Sequence, residues 1–487
     1  MTAADPKTSW KRVNPMRFSR SWLAAVAVLV AGGLLAGAQP QSGEADGRFF
    51  QQQRLVDEQL RQERSNAAPL DSLLDWQWGG WLEYYAFHFD DGDQKSRVVQ
   101  RPGLAAWTRL RLDDGAHEFF GRVRLHFTYF NPGDEIDRQQ DWWGPNFDQA
   151  WYQIDVGKAF RLSEAGSPHH LRARIGRQTV RFGTGYVLDM PLDAVVLDGQ
   201  VYDIRVLGLF GKSIGSFPNI DRSDPVDSHS DRLFYGVQVS YEGWDRHVPF
   251  AYAIWNNDRT DERPEDFFQN YSYDSFYFGA GMQGELAHNL DYWGVGVFES
   301  GHSYGDQAFK HRDYIEAFAW DFGLEKRFDV PMRPRVAGEY MFASGDSGRL
   351  FAPTSAAGGN QGDRRDTSFA GFGFRDTGIA LAPTMSNLHT WRLSGSFMPL
   401  EKHELFRNLE IGTNWFLYHK HHARAAISDP LADNFEGYVG WEMDYFINWR
   451  LSSDLSWTIR WGTFFPGGAY SDDSTRHFLF SGITWSF

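Results

Sequence analysis

From residue 76 to the C-terminus, apolar and polar positions alternate with a period of two. The last segment is the plainest. His477, Leu479, Ser481, Ile483, Trp485 and Phe487 share one face, and Arg476, Phe478, Phe480, Gly482, Thr484 and Ser486 share the other. Residues 455–462 set Leu455, Trp457, Ile459 and Trp461 against Ser456, Thr458, Arg460 and Gly462. Residues 119–130 set Phe119, Val123, Leu125, Phe127 and Tyr129 against Phe120, Arg122, Arg124, His126 and Thr128. Segments 104–112 and 439–450 read the same way, with Trp107, Arg109 and Arg111 opposite the leucines of the first. Such alternation marks a strand with one apolar and one polar face. It predicts eighteen strands, near 76–89, 101–112, 117–131, 147–156, 171–182, 192–199, 202–212, 232–242, 247–256, 273–286, 289–300, 312–327, 333–344, 388–398, 407–419, 437–450, 453–464 and 476–487. No long helical period interrupts them.

The connections alternate as well. The gaps 90–100, 132–146, 213–231, 257–272, 345–387 and 420–436 are long, whereas 113–116, 200–201, 243–246, 287–288, 328–332 and 451–452 are short. The gap 157–170 is long for its side. Asp113-Asp114-Gly115 and Asp198-Gly199 supply turn chemistry at two short ends. The fold class expected is all-β, a transmembrane antiparallel β-barrel over 76–487 with long extracellular loops and short periplasmic turns. A soluble sandwich seldom has so many strands of this length. Phe487, on one face with Trp485 and Ile483, matches the C-terminal signature through which barrel-assembly machinery is engaged.

Upstream of the barrel, Lys7 to Arg20 is basic, Trp22 to Leu35 is apolar, and Ala36-Gly37-Ala38 is a small-x-small site. Residues 1–38 therefore read as a secretory signal peptide, with Met1 or Met16 as its start, and 39–75 as a polar periplasmic segment.

Composition narrows the picture further. Aromatic residues make up 16% of the 487 positions and hydrophobic residues 42%, yet mean hydropathy is -0.49. That excludes a bundle of membrane-spanning helices and argues against disorder. Cysteine is absent, which rules out disulfides, thiolate metal sites, thiol catalysis and an acylated cysteine anchor. A net charge of -15 excludes nucleic acid as a partner drawn by the overall field.

The polar faces carry the candidate chemistry. Arg109, Arg111, Arg122, Arg124, Arg172, Arg174, Arg205, Arg392 and Arg460 lie there, with Asp155, Asp321, Glu339, Glu410, Glu442 and Asp444. With apolar faces toward lipid, these residues line a water-filled lumen. Arginine presents planar donors that meet carboxylates in two-point contacts, and rings of arginine favour anions. The expectation is an anion-selective pore with a basic wall and a more acidic one. The competing reading is a lumen held together by ion pairs, with no preference among solutes.

Ile175-Gly176-Arg177-Gln178 with Arg181-Phe182-Gly183 resembles a segment of the alginate export family of outer-membrane porins. Gly338-Glu339-Tyr340 leading to Ala343-Ser344-Gly345-Asp346 also resembles that family. So does Asp376-Thr377-Gly378 through Ala382-Pro383-Thr384 to Asn387-Leu388-His389. The resemblance spans most of 76–487. It implies a single-chain barrel in the outer membrane of a Gram-negative bacterium, surrounded by outer-membrane lipid. Such a barrel secretes an anionic polysaccharide, alginate or a similar polyuronate, through an arginine-lined constriction, with periplasmic export partners and without covalent chemistry. One departure stands out: the family's long periplasmic gating loop has no counterpart at 451–452, and 399–406 is modest. The alternatives are an uptake porin for small carboxylates or sugars, and an outer-membrane barrel hydrolase.

Several motifs imitate other chemistry. Gly301-His302-Ser303-Tyr304-Gly305 fits G-x-S-x-G but lacks the strand-to-helix elbow that motif requires. Gly345-Asp346-Ser347-Gly348 is explained by a turn. His419, His421 and His422 have no metal-binding geometry in sequence. Asp90, Asp91 and Asp93, and Asp221, Asp224 and Asp227, lack a full calcium-ligand pattern. No cofactor is expected beyond calcium in such outer loops.

Overall fold

The computed structural model describes residues 74–90, 96–134, 141–160, 169–215, 220, 230–259, 272–303, 312–354, 360 and 362–487. The expected signal peptide, nearly all of segment 39–75, and the loop aspartates 91, 93, 221, 224 and 227 lie outside them.

All eighteen expected strands form. They are β1 (Leu74–Phe89), β2 (Arg97–Leu112), β3 (His117–Phe130), β4 (Asp141–Asp155), β5 (His170–Arg181) and β6 (Asp189–Val201). The next six are β7 (Ile204–Ser213), β8 (Arg232–Tyr241), β9 (His247–Asp258), β10 (Asp274–Ala287), β11 (Leu290–His302) and β12 (Tyr314–Arg327). The last six are β13 (Arg335–Ala343), β14 (Leu388–Phe397), β15 (Leu409–Lys420), β16 (Tyr438–Arg450), β17 (Leu455–Pro466) and β18 (Arg476–Ser486). Each pairs antiparallel with its sequence neighbours. β1 returns to β18, from Trp81 opposite Ser486 to Phe89 opposite Phe478, so the barrel closes and leaves no edge. Phe487 finishes the seam: its N–H donates to the Gly80 carbonyl at 2.9 Å, and its own carbonyl accepts from the Gly80 N–H at 3.0 Å.

The alternation assigns the faces. Trp76, Trp78, Leu82, Ile175, Val206, Phe322, Leu479, Ile483 and Trp485 are exposed on the outer face, where lipid covers them. Tyr202 and Trp244 mark the short-turn rim, and Trp255, Tyr314 and Tyr438 the long-loop rim, as in the aromatic girdles of outer-membrane barrels.

Two local departures have physical causes. β2 starts at Arg97, four residues before the expected boundary. Pro102 lies inside the strand, where the β2–β3 ladder skips from Gln100 to Gly103, so its missing N–H leaves no bond of that ladder unmade. The long periplasmic gap after β4 opens with one helical turn, α1 (Val156–Ala159), capped by Asp155, whose carboxylate accepts from the Lys158 N–H at 3.1 Å.

Loop 182–188 and the described parts of loop 344–387 fold into the barrel rather than standing above it. Phe182, Val187 and Leu188 are fully buried with Phe369, Phe234, Ile254, Tyr277 and Met341. Deeper along the wall, Leu381 packs with Phe416, Tyr418 and Phe464. Ile379 reaches Tyr85, Phe87, Phe478 and Phe480 beside the seam. The apolar core of this molecule thus lies inside the barrel, between the wall and the inserted loops.

Candidate functional site

The inserted loops divide the lumen into a dry half and a wet half. Over β8–β17 the inner-face residues are buried, including Tyr252, Tyr277, Glu299, Asp321, Thr390, Tyr418 and Glu442. Carboxylates of this wall hold the loops by hydrogen bonds that are strong because one partner is charged. Glu442 accepts from three successive backbone N–H groups, Ile379 at 2.6 Å, Ala380 at 2.7 Å and Leu381 at 2.8 Å. Glu299 accepts from the Ala370 N–H at 2.9 Å and from the Tyr273 hydroxyl. Asp321 pairs with Arg375 of the long loop at 2.8 Å, and Arg375 also donates to the carbonyl and hydroxyl of Thr184 in the shorter loop. The two loops join directly where the Phe372 N–H donates to the Val187 carbonyl at 2.7 Å.

The segments that carry the family resemblance build this insertion. Gly378 has φ +95°, and a Cβ there would lie 2.6 Å from both the Glu442 carboxylate and the Tyr418 hydroxyl, so only glycine lets the chain settle on Glu442. Asn387 ties the far root of the loop: its N–H donates to the Ser344 carbonyl, and its side-chain amide donates to the Ala425 and Ala426 carbonyls. Asp346 accepts from the Gly348 and Thr367 N–H groups, which makes Gly345–Gly348 a turn rather than a nucleophile segment. Gly176 has φ +126°, and a Cβ there would stand 2.2 Å from the Ala150 carbonyl of β4. Arg177 of the same motif turns away from the lumen and pairs with Asp193 at 2.8 Å.

The wetter part comprises stretches of the inner faces of β1–β7 below the inserted loops, and most of the expected arginines lie on those strands. Closer to the long loops the same faces are buried, with Tyr85, Arg101, Arg124 and Leu192 among the buried residues. Arg109 and Arg111 share Glu118, at 3.0 and 3.4 Å. Arg122 grips Asp148 with two nitrogens, and Arg124 reaches Glu83 at 3.3 Å. Arg172 pairs with Asp155 at 3.3 Å and Arg205 with Asp198 at 2.8 Å. Arg174 differs. Its guanidinium donates to the neutral Gln153 amide oxygen at 2.7 and 3.0 Å and lies 4.3 Å over the Trp151 ring. Among the described residues it has no carboxylate within ion-pair distance.

The other candidates fall in the dry half. Arg392 joins Glu339 at 2.9 Å and Asp376 at 3.6 Å. Arg460 lies over the Phe446 ring, and Asp444 is buried near Glu442. Glu442 does not face open water, because the 379–381 backbone covers it. Sequence reasoning missed Arg101 and Arg375. Arg101 fell at the misjudged start of β2 and is buried against His126. Arg375 had been counted as loop. Aromatic residues on the wet wall were also passed over: Trp107, Phe120 and Trp151 stack in sequence across β2, β3 and β4.

Ser303 is fully buried, and its hydroxyl accepts from Arg349 at 3.1 Å. It follows the end of β11 and does not head an exposed elbow. His421 accepts from the Gly345 N–H at 3.1 Å, a structural contact between two loops.

A search of curated protein sequences finds no match. Among solved structures the chain is similar to OccK8 (OprE) of Pseudomonas aeruginosa, with a TM-score of 0.52, 10% identity, and coverage of 85% of this chain and 98% of that one. It is also similar to the outer membrane protein OpdK of Pseudomonas aeruginosa, with a TM-score of 0.50, 9% identity, and coverage of 85% and 98%. At such identity the likeness speaks for the fold alone. The family model described as alginate export matches residues 138–481. The chain therefore belongs to the alginate export family, and its barrel is a porin-like channel of a Gram-negative outer membrane.

Proposed function

We propose that this channel secretes an anionic polysaccharide, alginate or a similar polyuronate, along the wet half of its lumen. Family membership supports the export role. The observation that carries the polyanion is the set of inward arginines on four neighbouring or near-neighbouring strands, β2, β3, β5 and β7. The most exposed of their pairs differ from the fully buried pairs of the dry half. The Arg349–Asp366 and Arg476–Asp429 side chains are at most 3% exposed, whereas Arg109, Arg172 and Arg205 are 34–45% exposed. Ion pairs this wet contribute only about 0–1 kcal/mol each. A uronate carboxylate arriving from solvent can replace a wall carboxylate at almost no cost, so the polymer moves by exchange of partners. No covalent step is involved, and the pore itself has no preferred direction. In this reading residues 1–38 are the export signal and 39–75 a periplasmic segment.

Arg174 is the sharpest test, because no wall carboxylate depends on it. Single-channel recording of Arg174→Glu in a planar bilayer should show a weaker anion preference and weaker block by mannuronate oligomers than wild type. Both differences should shrink as salt rises and the Debye length falls. Unchanged reversal potential and block would refute a polyanion path past this wall. Equal block by small ringless carboxylates would favour the uptake porin instead.

A further inference from the structure

The wet wall carries a second recognition element that charge does not explain. Trp107, Phe120 and Trp151 lie on adjacent strands β2, β3 and β4, with their rings nearly parallel. Centroids are 6.3 Å apart at an interplanar angle of 23° for the first pair, and 5.4 Å apart at 24° for the second. Trp81 on β1 stands beside them, with Arg122 and Arg124 over its ring at 5.6 and 6.0 Å. Higher on the same side, Trp143 stacks on His126 at 4.7 Å and 17°. Trp81, Trp107, Phe120 and Trp151 are all partly exposed, in a barrel whose other half buries its aromatic rings under the inserted loops. Leaving such rings wet forfeits the stabilisation that burial gives, so a partner that covers them only transiently would account for the arrangement.

We propose that these rings form a track for pyranose rings, along which the cargo is recognised as a sugar independently of its charge. The face of a pyranose presents weakly positive C–H groups, which suit the negative face of an aromatic ring. Its rim presents hydroxyls and, in a uronate, a carboxylate. Arg109 over Phe120 at 5.9 Å and Arg174 over Trp151 at 4.3 Å set guanidinium groups on the platforms themselves, so a stacking sugar would displace them from the ring face and meet them with its carboxylate at the rim. The arrangement thus reads two features of one residue, the ring by stacking and the acid by charge. This inference rests on the polysaccharide-channel reading, but it makes a distinct demand: neutral sugar chains must bind too.

The test is single-channel recording of the full chain with two hexasaccharide probes, neutral mannohexaose and its charged counterpart, a mannuronate hexamer. Both should interrupt the ion current in wild type, the neutral one more weakly. In the double variant Trp107→Leu, Trp151→Leu, the neutral probe should lose about tenfold in binding constant. In Arg174→Gln, only the charged probe should weaken. Heat-modifiable migration identifies folded barrel, and the single variants Trp151→Leu and Phe120→Leu serve if the double variant does not assemble. If the neutral probe is silent in wild type, or the charged probe blocks the leucine variants as well as wild type, the track is refuted while the polyanion channel stands. If neither probe blocks an open wild-type channel, the channel reading falls and the track with it.

Discussion

Glu442 offers the most direct way to open the lumen. Its carboxylate accepts from the Ile379, Ala380 and Leu381 N–H groups, and it is fully buried. Glu442→Ala would strand three donors, two of them buried and one part-buried. Each costs about 1–3 kcal/mol when left without an acceptor, so the inserted conformation should lose at least about 3 kcal/mol. That is about a hundredfold change in the ratio of seated to lifted segment. A segment seated 99% of the time would then be lifted about half the time. The movement should stay local to about 376–386, because Arg375 still holds Asp321 and Thr184, and Asn387 still holds the far root. Glu442→Gln should fall between. Its one carbonyl oxygen can serve Ile379 and Ala380, which already share Oε1, but its amide nitrogen would face the Leu381 donor.

Two readouts check this. Hydrogen exchange followed by mass spectrometry should show amides 379–381 losing protection by up to a hundredfold in Glu442→Ala, with barrel strands unchanged. Single-channel recording should show larger or more variable conductance, with Glu442→Gln intermediate. Wild-type protection and conductance in a heat-modifiable Glu442→Ala barrel would refute the latch.

Two further predictions concern the seam and the loop roots. Deleting Phe487 removes both hydrogen bonds to Gly80 and the last outward ring of β18, so the protein should accumulate unassembled, as judged by loss of heat-modifiable migration. The His421 imidazole, lowered to about 4 by burial and by the neighbouring His422 and His389, accepts from Gly345 only when neutral. Its folded value lies below the unfolded one of about 6.5, so the stability it lends is complete above pH 6.5 and is lost as pH falls toward 4. Current fluctuations from the long loop should therefore rise over that window in wild type, and the pH dependence should weaken in His421→Asn.

The barrel was legible because every strand had to present lipid on one side, which imposes period two on the sequence apart from a few register shifts such as those between β3 and β4. The inserted loop was not legible, for a physical reason. Its anchors are side chains such as Glu442 and Asp321 that satisfy the same alternation as any lumen residue. Their partners are backbone amides and a loop arginine some 50–70 positions away, and no periodicity marks such a pairing. Charge at an inward position therefore looked like open lining when half of it is cement. The motif glycines fared better. Gly176 and Gly378 were singled out as family signals, and both occupy positions where a Cβ would meet a carbonyl or a carboxylate. Trp107 and Phe120 were placed on the correct face, yet they drew no notice beside the arginines, since an inward aromatic ring is equally consistent with packing.

The pairing of the wet arginines bears on how a polyanion could leave the pore as well as enter it. A chain with a carboxylate on every sugar meets several arginines at once. If these were unpaired, the linked contacts would reinforce one another, and avidity could exceed a single contact by about 10²–10⁴. Such a lumen would trap its cargo, whereas conduction needs sites weak enough to release. Glu118, Asp148, Asp155 and Asp198 prevent that by engaging the guanidinium groups beforehand. On the proposed export reading, each step of the polymer would replace one ion pair of this wall with another. Arg174, which has only Gln153 and Trp151 to hold, is the exception. Among the described residues it is an arginine of this wall at which an arriving carboxylate would gain an ionic partner without displacing another, and on the proposed reading a translocating polyuronate should pause there.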